Sequence, residues 1–150
     1  MPSEPIILTN AYVVLSTGSS GADGGFDLSG YITQVRLTRT YDQHDTTVMG
    51  MTDHRTSLGL GKWSAACTAM AGFASSGLDE VIFGKIGPSQ VNWIYIRPVN
   101  AKRTPTNPEY WGQVNIADYN PMDGNVGDPL KTPLTFVGAG SLLRTASCSS

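Results

Sequence analysis

Two histidines and three aspartates crowd one stretch of the chain, residues 42–61: His44 and His54 stand there with Asp42, Asp45 and Asp53. Imidazole and carboxylate are metal ligands, so zinc or calcium has to be weighed first. The spacing H-x9-H with scattered carboxylates matches neither pattern. Polar loop residues bonded to solvent or to an interface are the plainer reading. Nucleophilic catalysis finds even less support. There is no G-x-S-x-G elbow, and neither Cys67 nor Cys148 has a local histidine partner. Gly18, Gly21, Gly24 and Gly25 lack the Lys-Ser/Thr and the strand-to-helix setting of a phosphate loop, so they read as a pliable connection. Arg36 and Arg39, placed on opposite faces of one strand, do not make a nucleic-acid groove with Arg97 and Arg103. Salt bridging at a subunit contact suits these arginines better. Trp63, Trp93 and Trp111 each fall in or beside a strand; core packing is the default for them, and a sugar-stacking platform the sharper alternative. No set of groups converges in a cleft, so the sequence argues against an enzyme and implies no cofactor and no metal.

Composition agrees. The chain has 150 residues, 40% hydrophobic but only 15% charged, with 17 glycines and 9 prolines. That is a turn-rich β composition of one-domain length, expected to bury about two-thirds of its unfolded surface. A net charge of −2 offers no basic surface for gripping phosphates. Two distant cysteines read as free thiols of a reducing compartment. No basic start with a long apolar core opens the chain, and no apolar run approaches the ~20 residues of a membrane span.

The elements follow from periodicity. Strands are expected over Ile6–Leu15, Tyr31–Tyr41, Lys62–Phe73, Val91–Val99, the Tyr110 region around Val114 and Ile116, and Leu130–Val137. In the second of these, Tyr31, Thr33, Val35, Leu37 and Arg39 share one face, against Ile32, Gln34, Arg36, Thr38 and Thr40. A Gly/Ser/Asp loop occupies 16–30. A single helix is expected over Ser76–Ile86, capped by Ser76 with Asp79 closing the box, and apolar at Leu78, Val81, Ile82 and Ile86. Between the early strands, 42–61 shows no period and reads as a long loop. Val48, Met49, Met51, Leu58 and Leu60 are too apolar for a loop left in water and ask for a partner surface. The fold class is therefore mostly β: two packed antiparallel sheets, a β-sandwich or small barrel, with one flanking α-helix and a long inter-strand loop, in one domain over 1–150.

Two sets of residues carry a family resemblance over roughly 31–144. One is Ala117-Asp118-Tyr119-Asn120-Pro121, then Gly124-x-Val126-Gly127-Asp128, then Thr135-Phe136-x-Gly138-x-Gly140-x-Leu142-x-Arg144. The other is Asp45-Thr46-Thr47-x-Met49-Gly50 followed by Arg55-x-x-Leu58-x-Leu60-x-Lys62-Trp63. In this order and spacing they resemble the major tail tube proteins of long-tailed bacteriophages. The resemblance implies a structural virion protein that forms hexameric rings stacked into a hollow tube. Double-stranded DNA would pass through without specific binding. Its partners would be further copies of itself, with tail tip or initiator, tape measure and tail terminator proteins, and no membrane. It would be assembled in the bacterial cytoplasm and carried in the virion tail. Inter-subunit and inter-ring contacts are expected from Asp45, Thr46, Thr47, Val48, Met49, Met51, Arg55, Leu58 and Leu60. Arm contacts are expected from Leu142, Leu143 and Arg144, with flexible arms over about 1–16 and 139–150. The polar strand faces would line a hydrated, weakly acidic lumen. A capsid decoration protein and a carbohydrate-binding β-sandwich are the alternatives.

Overall fold

The computed structural model describes residues 11–16, 25–50, 52–73, 75, 77–87 and 91–146. Among them are eight strands and one helix: β1 (Tyr12–Ser16), β2 (Phe26–Asp27), β3 (Ile32–Asp45), β4 (Thr56–Met70), α1 (Leu78–Lys85), β5 (Asn92–Arg97), β6 (Glu109–Tyr119), β7 (Lys131–Gly138) and β8 (Leu143–Thr145). The class is mostly β with one helix, as expected. The hydrogen bonding is continuous rather than divided between two sheets. All pairs are antiparallel, in the order β2-β1-β5-β6-β7-β4-β3, with β8 beside β6.

Alternation decides which side of this sheet is dry. Cross-strand pairs Ala65–Phe136, Cys67–Leu134 and Ile116–Phe136 put their side chains on one face, and Val35 and Leu37 join them across β4. Val13, Leu15, Ile94, Ile96 and Val114 extend the same buried cluster to the other end of the sheet. Each fully buried Leu, Ile or Phe contributes roughly 1.5–3 kcal/mol, so this one cluster supplies the fold's main driving force. The many alanines of β4 thus sit in a strand, and Ala65 and Ala69 leave room for Phe136 and its neighbours.

Three local expectations change. Ile32, expected on the wet face, packs against the core because the register of β3 shifts between Ile32 and Gln34. The helix is capped at Gly77, not at Ser76, which lies outside the described residues; Asp79 then falls one position too early for a capping box. Its carboxylate instead accepts the Tyr119 hydroxyl, tying the helix to β6, while Leu78 and Ile82 enter the core and Ile86 stays exposed. Finally, the N-terminal arm expected over 1–16 ends in sheet: β1 pairs along its whole length with β5. Ile6, Ile7 and Leu8 lie outside the described residues.

Candidate assembly surface

Half of the residues expected as a loop over 42–61 are strand. β3 and β4 stay paired out to Asp45–Thr56, so only 46–55 connects them. From Tyr41 to Asp45 and from Thr56 to Lys62 every residue is exposed. A ribbon wet on both faces has no burial-driven alternation, which is why no period is visible there. Its glycines have a packing reason. A side chain at Gly61 would strike the Tyr41 ring at 2.7 Å, and one at Gly59 the His44 imidazole at 2.6 Å, so both rings lie flat across the facing strand. The Arg39 guanidinium continues the stack, 5.2 Å from the Tyr41 ring centre. The opposite face carries Leu58 and Leu60, 66% and 83% exposed.

The mouth of the connection is closed by a small hydrogen-bond cluster. Asp45 Oδ1 accepts from the Thr47 amide at 2.9 Å and the Thr47 hydroxyl at 2.5 Å. Thr47 Oγ1 in turn accepts the Arg55 amide at 2.8 Å, and the Thr46 amide donates to the Arg55 carbonyl at 2.7 Å. The hydroxyl and amide of Thr47 hold the Asp45 carboxyl below its ordinary range. Gly50 turns the tip at a φ of 92°, a left-handed conformation that favours glycine. Beyond the cluster Val48 and Met49 stand in solvent, 65% and 101% exposed. Met51 lies outside the described residues. The tip is thus a fixed platform for apolar side chains. Among the described residues no group of three or more His, Cys, Asp or Glu is placed to hold a metal ion.

β3 also ends the sheet. Among the described residues no strand covers its outer edge, which leaves the open backbone groups of a strand of 14 residues. The wet face beside it is rich in hydroxyls and amides: Gln34, Thr38 and Thr40 on β3, Ser64 and Thr68 on β4, Thr135 on β7, Asn115 on β6. It also carries Arg36, Lys62 and Lys131 on one side of the balance and Asp118 on the other. Lys62 is itself bridged to Asp42 at 3.6 Å.

In the described part of the tail after Gly138, residues 139–146, the chain pairs with itself. Glu109, Tyr110 and Trp111 pair with Thr145, Arg144 and Leu143, and Trp111 Nε1 donates to the Thr145 hydroxyl at 3.0 Å. β8 can reach this edge because β7 covers only the other half of β6, from Val114 to Tyr119. The link between them is set by Trp63, whose indole N–H donates to the Gly140 carbonyl at 2.7 Å. A side chain at Gly138 would run into that indole, and one at Gly112 would meet it at 2.7 Å. Leu142 packs against the core, while Leu143 and Arg144 are exposed.

Other side chains expected at surfaces are spoken for internally. Arg97 Nε donates to Glu109 Oε2 at 2.5 Å, and Arg103 lies 3.9 Å from the other oxygen, so these arginines serve a buried carboxylate within the chain. Sequence alone misses this site, because Glu109 stands outside any periodic apolar pattern. Nearby, Asn107 holds the 99–102 turn by donating to the carbonyls of Val99 and Lys102 and accepting the Val99 amide. Trp93 and Tyr95 flank Trp111 at 5.9 and 5.8 Å, half-buried or buried, whereas Trp63 is in the core. Cys67 is buried and unbridged, and burial pushes its thiol up to about 12. Cys148 lies outside the described residues.

No known family model matches the sequence, and no curated protein matches it. Solved structures do. A chain of the SPP1 tail tube superposes with a TM-score of 0.73 at 10% identity, over 97% of this chain and 81% of that one. A chain from the tail of an empty gene transfer agent particle, refined with C6 symmetry, gives 0.65 at 15% identity over 90% and 95%. One from the six-fold symmetrised baseplate of the anti-feeding prophage gives 0.66 at 13% over 97% and 98%. The chain therefore shares its fold, over nearly its whole length, with proteins of tail tubes and baseplates.

Proposed function

We propose that this protein is the subunit of a bacteriophage tail tube: a structural virion protein, not an enzyme, that closes into hexameric rings and stacks them into a hollow tube. The observation that carries the reading is the β3–β4 unit, whose edge strand no other described strand covers and which is prolonged into a ribbon exposed on both faces. An uncovered edge of this length invites another strand, and a ring of copies removes every such edge by joining sheet to sheet. Heterologous contacts that close give the ring, and axial contacts that do not close give the filament. The likeness of fold to a chain of a C6-symmetric tail and to one of a six-fold symmetrised baseplate supports that geometry.

In this arrangement Asp45, Thr46, Thr47, Val48, Met49, Met51, Arg55, Leu58 and Leu60 make inter-subunit and inter-ring contacts, and Leu142, Leu143 and Arg144 receive neighbours. The hydroxyl- and amide-rich face lines the lumen. Its positive charges are dispersed: Arg36 and Lys62 stand four ladder positions apart, about 13 Å at ~3.3 Å per residue. Such a wall stays hydrated and lets double-stranded DNA pass without clustered phosphate contacts. Tail tip, tape measure and terminator proteins are the remaining partners, and the tube is carried in the virion tail after assembly in the bacterial cytoplasm.

Negative-stain electron microscopy of the concentrated protein, alone and with a tail-tip extract, tests this. Hollow tubes or six-fold rings with a central hole are the expected result. Compact monomers under both conditions would overturn it.

A further inference from the structure

A groove at the far end of the ribbon's root has no role within the chain. It holds about 440 Å³ between β3, β6 and β8 and is lined by Leu37, Arg39, Tyr110, Leu142 and Arg144. The turn that carries Leu142 is held beside it, because Trp63 is wedged against Gly138 and Gly112 and donates to the Gly140 carbonyl. Leu37 and Leu142 give an apolar bed. Arg39 and Arg144 stand at the rim over tyrosine rings, and among the described residues no carboxylate bridges either guanidinium. Two cations above an apolar bed call for an occupant that brings apolar side chains flanked by anions.

We infer that the groove is the receptor for the hairpin tip of a second copy, Val48 and Met49 entering the bed while Asp45 and Asp53 meet Arg39 and Arg144. The inference rests on the assembly reading above and deepens it by naming which surface takes the tip. Charge and polarity match: the tip is an exposed apolar platform with Asp45 and Asp53 beside it, already tied by the Asp45–Thr47–Arg55 hydrogen bonds, so little ordering cost remains on docking. Asp45 accepts through Oδ1, which leaves the lone pairs of Oδ2 for a guanidinium. A chain cannot fill its own groove. Thr46 lies seven residues along an extended strand from Arg39, about 23 Å away at ~3.3 Å per residue. The contact is therefore heterologous, tip to groove, and every copy offers one of each.

Cysteine pairing tests it in the full chain. In a Cys148→Ser background, Met49→Cys and Leu142→Cys are combined and the assembled protein is treated with a short bifunctional maleimide. A ladder of covalent multiples is expected, absent from either single variant. A second arm uses charge exchange. Asp53→Arg and Arg144→Glu should each raise the concentration needed for assembly about tenfold, and the double variant should return to within about threefold of the parent. Assembled particles with no cross-link, or charge effects that simply add, would overturn the groove assignment while leaving the tube reading intact. A cross-link mapped by mass spectrometry from the Leu142→Cys thiol to another segment would overturn it in favour of that segment. A parent that never assembles would overturn the tube reading and the docking together.

Discussion

Leu58 and Leu60 separate what the ribbon does for the monomer from what it does for an assembly. Both project from the same ribbon face and are largely exposed. Covering a leucine fully contributes roughly 1.5–3 kcal/mol, so the pair can supply about 3–6 kcal/mol at a subunit contact. At about 1.4 kcal/mol per decade, Leu58→Ser with Leu60→Ser should weaken that contact by roughly 10²- to 10⁴-fold. Within the monomer the same change removes little burial, and exposed substitutions stay within about 0.5 kcal/mol each. For a domain of this size that is a thermal shift of at most about 4 °C. Sedimentation velocity over a concentration series reads the first quantity, and circular dichroism melting of the dispersed protein reads the second. Unchanged assembly would refute the claim that this face is covered by a neighbour. A melting point lowered by about 10 °C, well beyond that shift, would refute the claim that the ribbon packs on nothing in its own chain.

Other consequences concern the interior. Glu109→Gln should leave Arg97 and Arg103 around a neutral group and cost about 3–5 kcal/mol, read as a lowered denaturant midpoint with an unchanged slope. Phe136→Ala opens a cavity where β4, β6 and β7 meet and should cost about 3–5 kcal/mol by the same measurement. The Cys67 thiol should resist alkylation at about pH 8 until the protein unfolds. Its folded value of about 12 lies above the ordinary 9.0, so between those values the folded state holds more protons than the unfolded one. Stability from this group is complete below about pH 9 and falls as pH rises towards 12. Tyr119, raised by burial and its bond to Asp79, adds its own alkaline loss, so the test is the difference between the parent and Cys67→Ala. That difference should change above about pH 9 in melts; a constant offset would count against it.

Legibility followed burial. Where one face is dry, as at Trp63, Ala65, Cys67 and Ala69 or at Val114 and Ile116, the period of two is plain and the strands lie where it puts them. Where both faces are wet the same backbone leaves no trace, and the strands of the ribbon read as loop. Contacts between distant residues are equally hidden. Nothing near Gly138 announces that Trp63 needs its missing side chain, and nothing near Arg97 announces Glu109. The apolar character of Val48, Met49, Leu58 and Leu60 is visible before any element is assigned. It points to a surface awaiting a partner, whereas a three-residue strand such as β8 is too short to show a pattern at all.

An open edge strand beside an apolar ribbon would ordinarily invite indiscriminate aggregation. This edge is selective instead. The register of β3 shifts between Ile32 and Gln34 and again between Tyr41 and Gln43, so its uninterrupted ladder runs only from Gln34 to Tyr41. Within that window stand Arg36 and Arg39, one on each face, which penalise stacking against another copy of the same edge. Bulges and charges are the devices by which monomeric sheets protect their edges. Here they flank a stretch still long enough for a strand to add. A strand that pairs must therefore match a fixed window and supply groups that tolerate two guanidiniums. Edge-to-edge pairing of two identical β3 strands brings like charges together and is disfavoured, whereas a different edge of the next copy is not. In the proposed ring these features favour a head-to-tail contact over the pairing of identical edges.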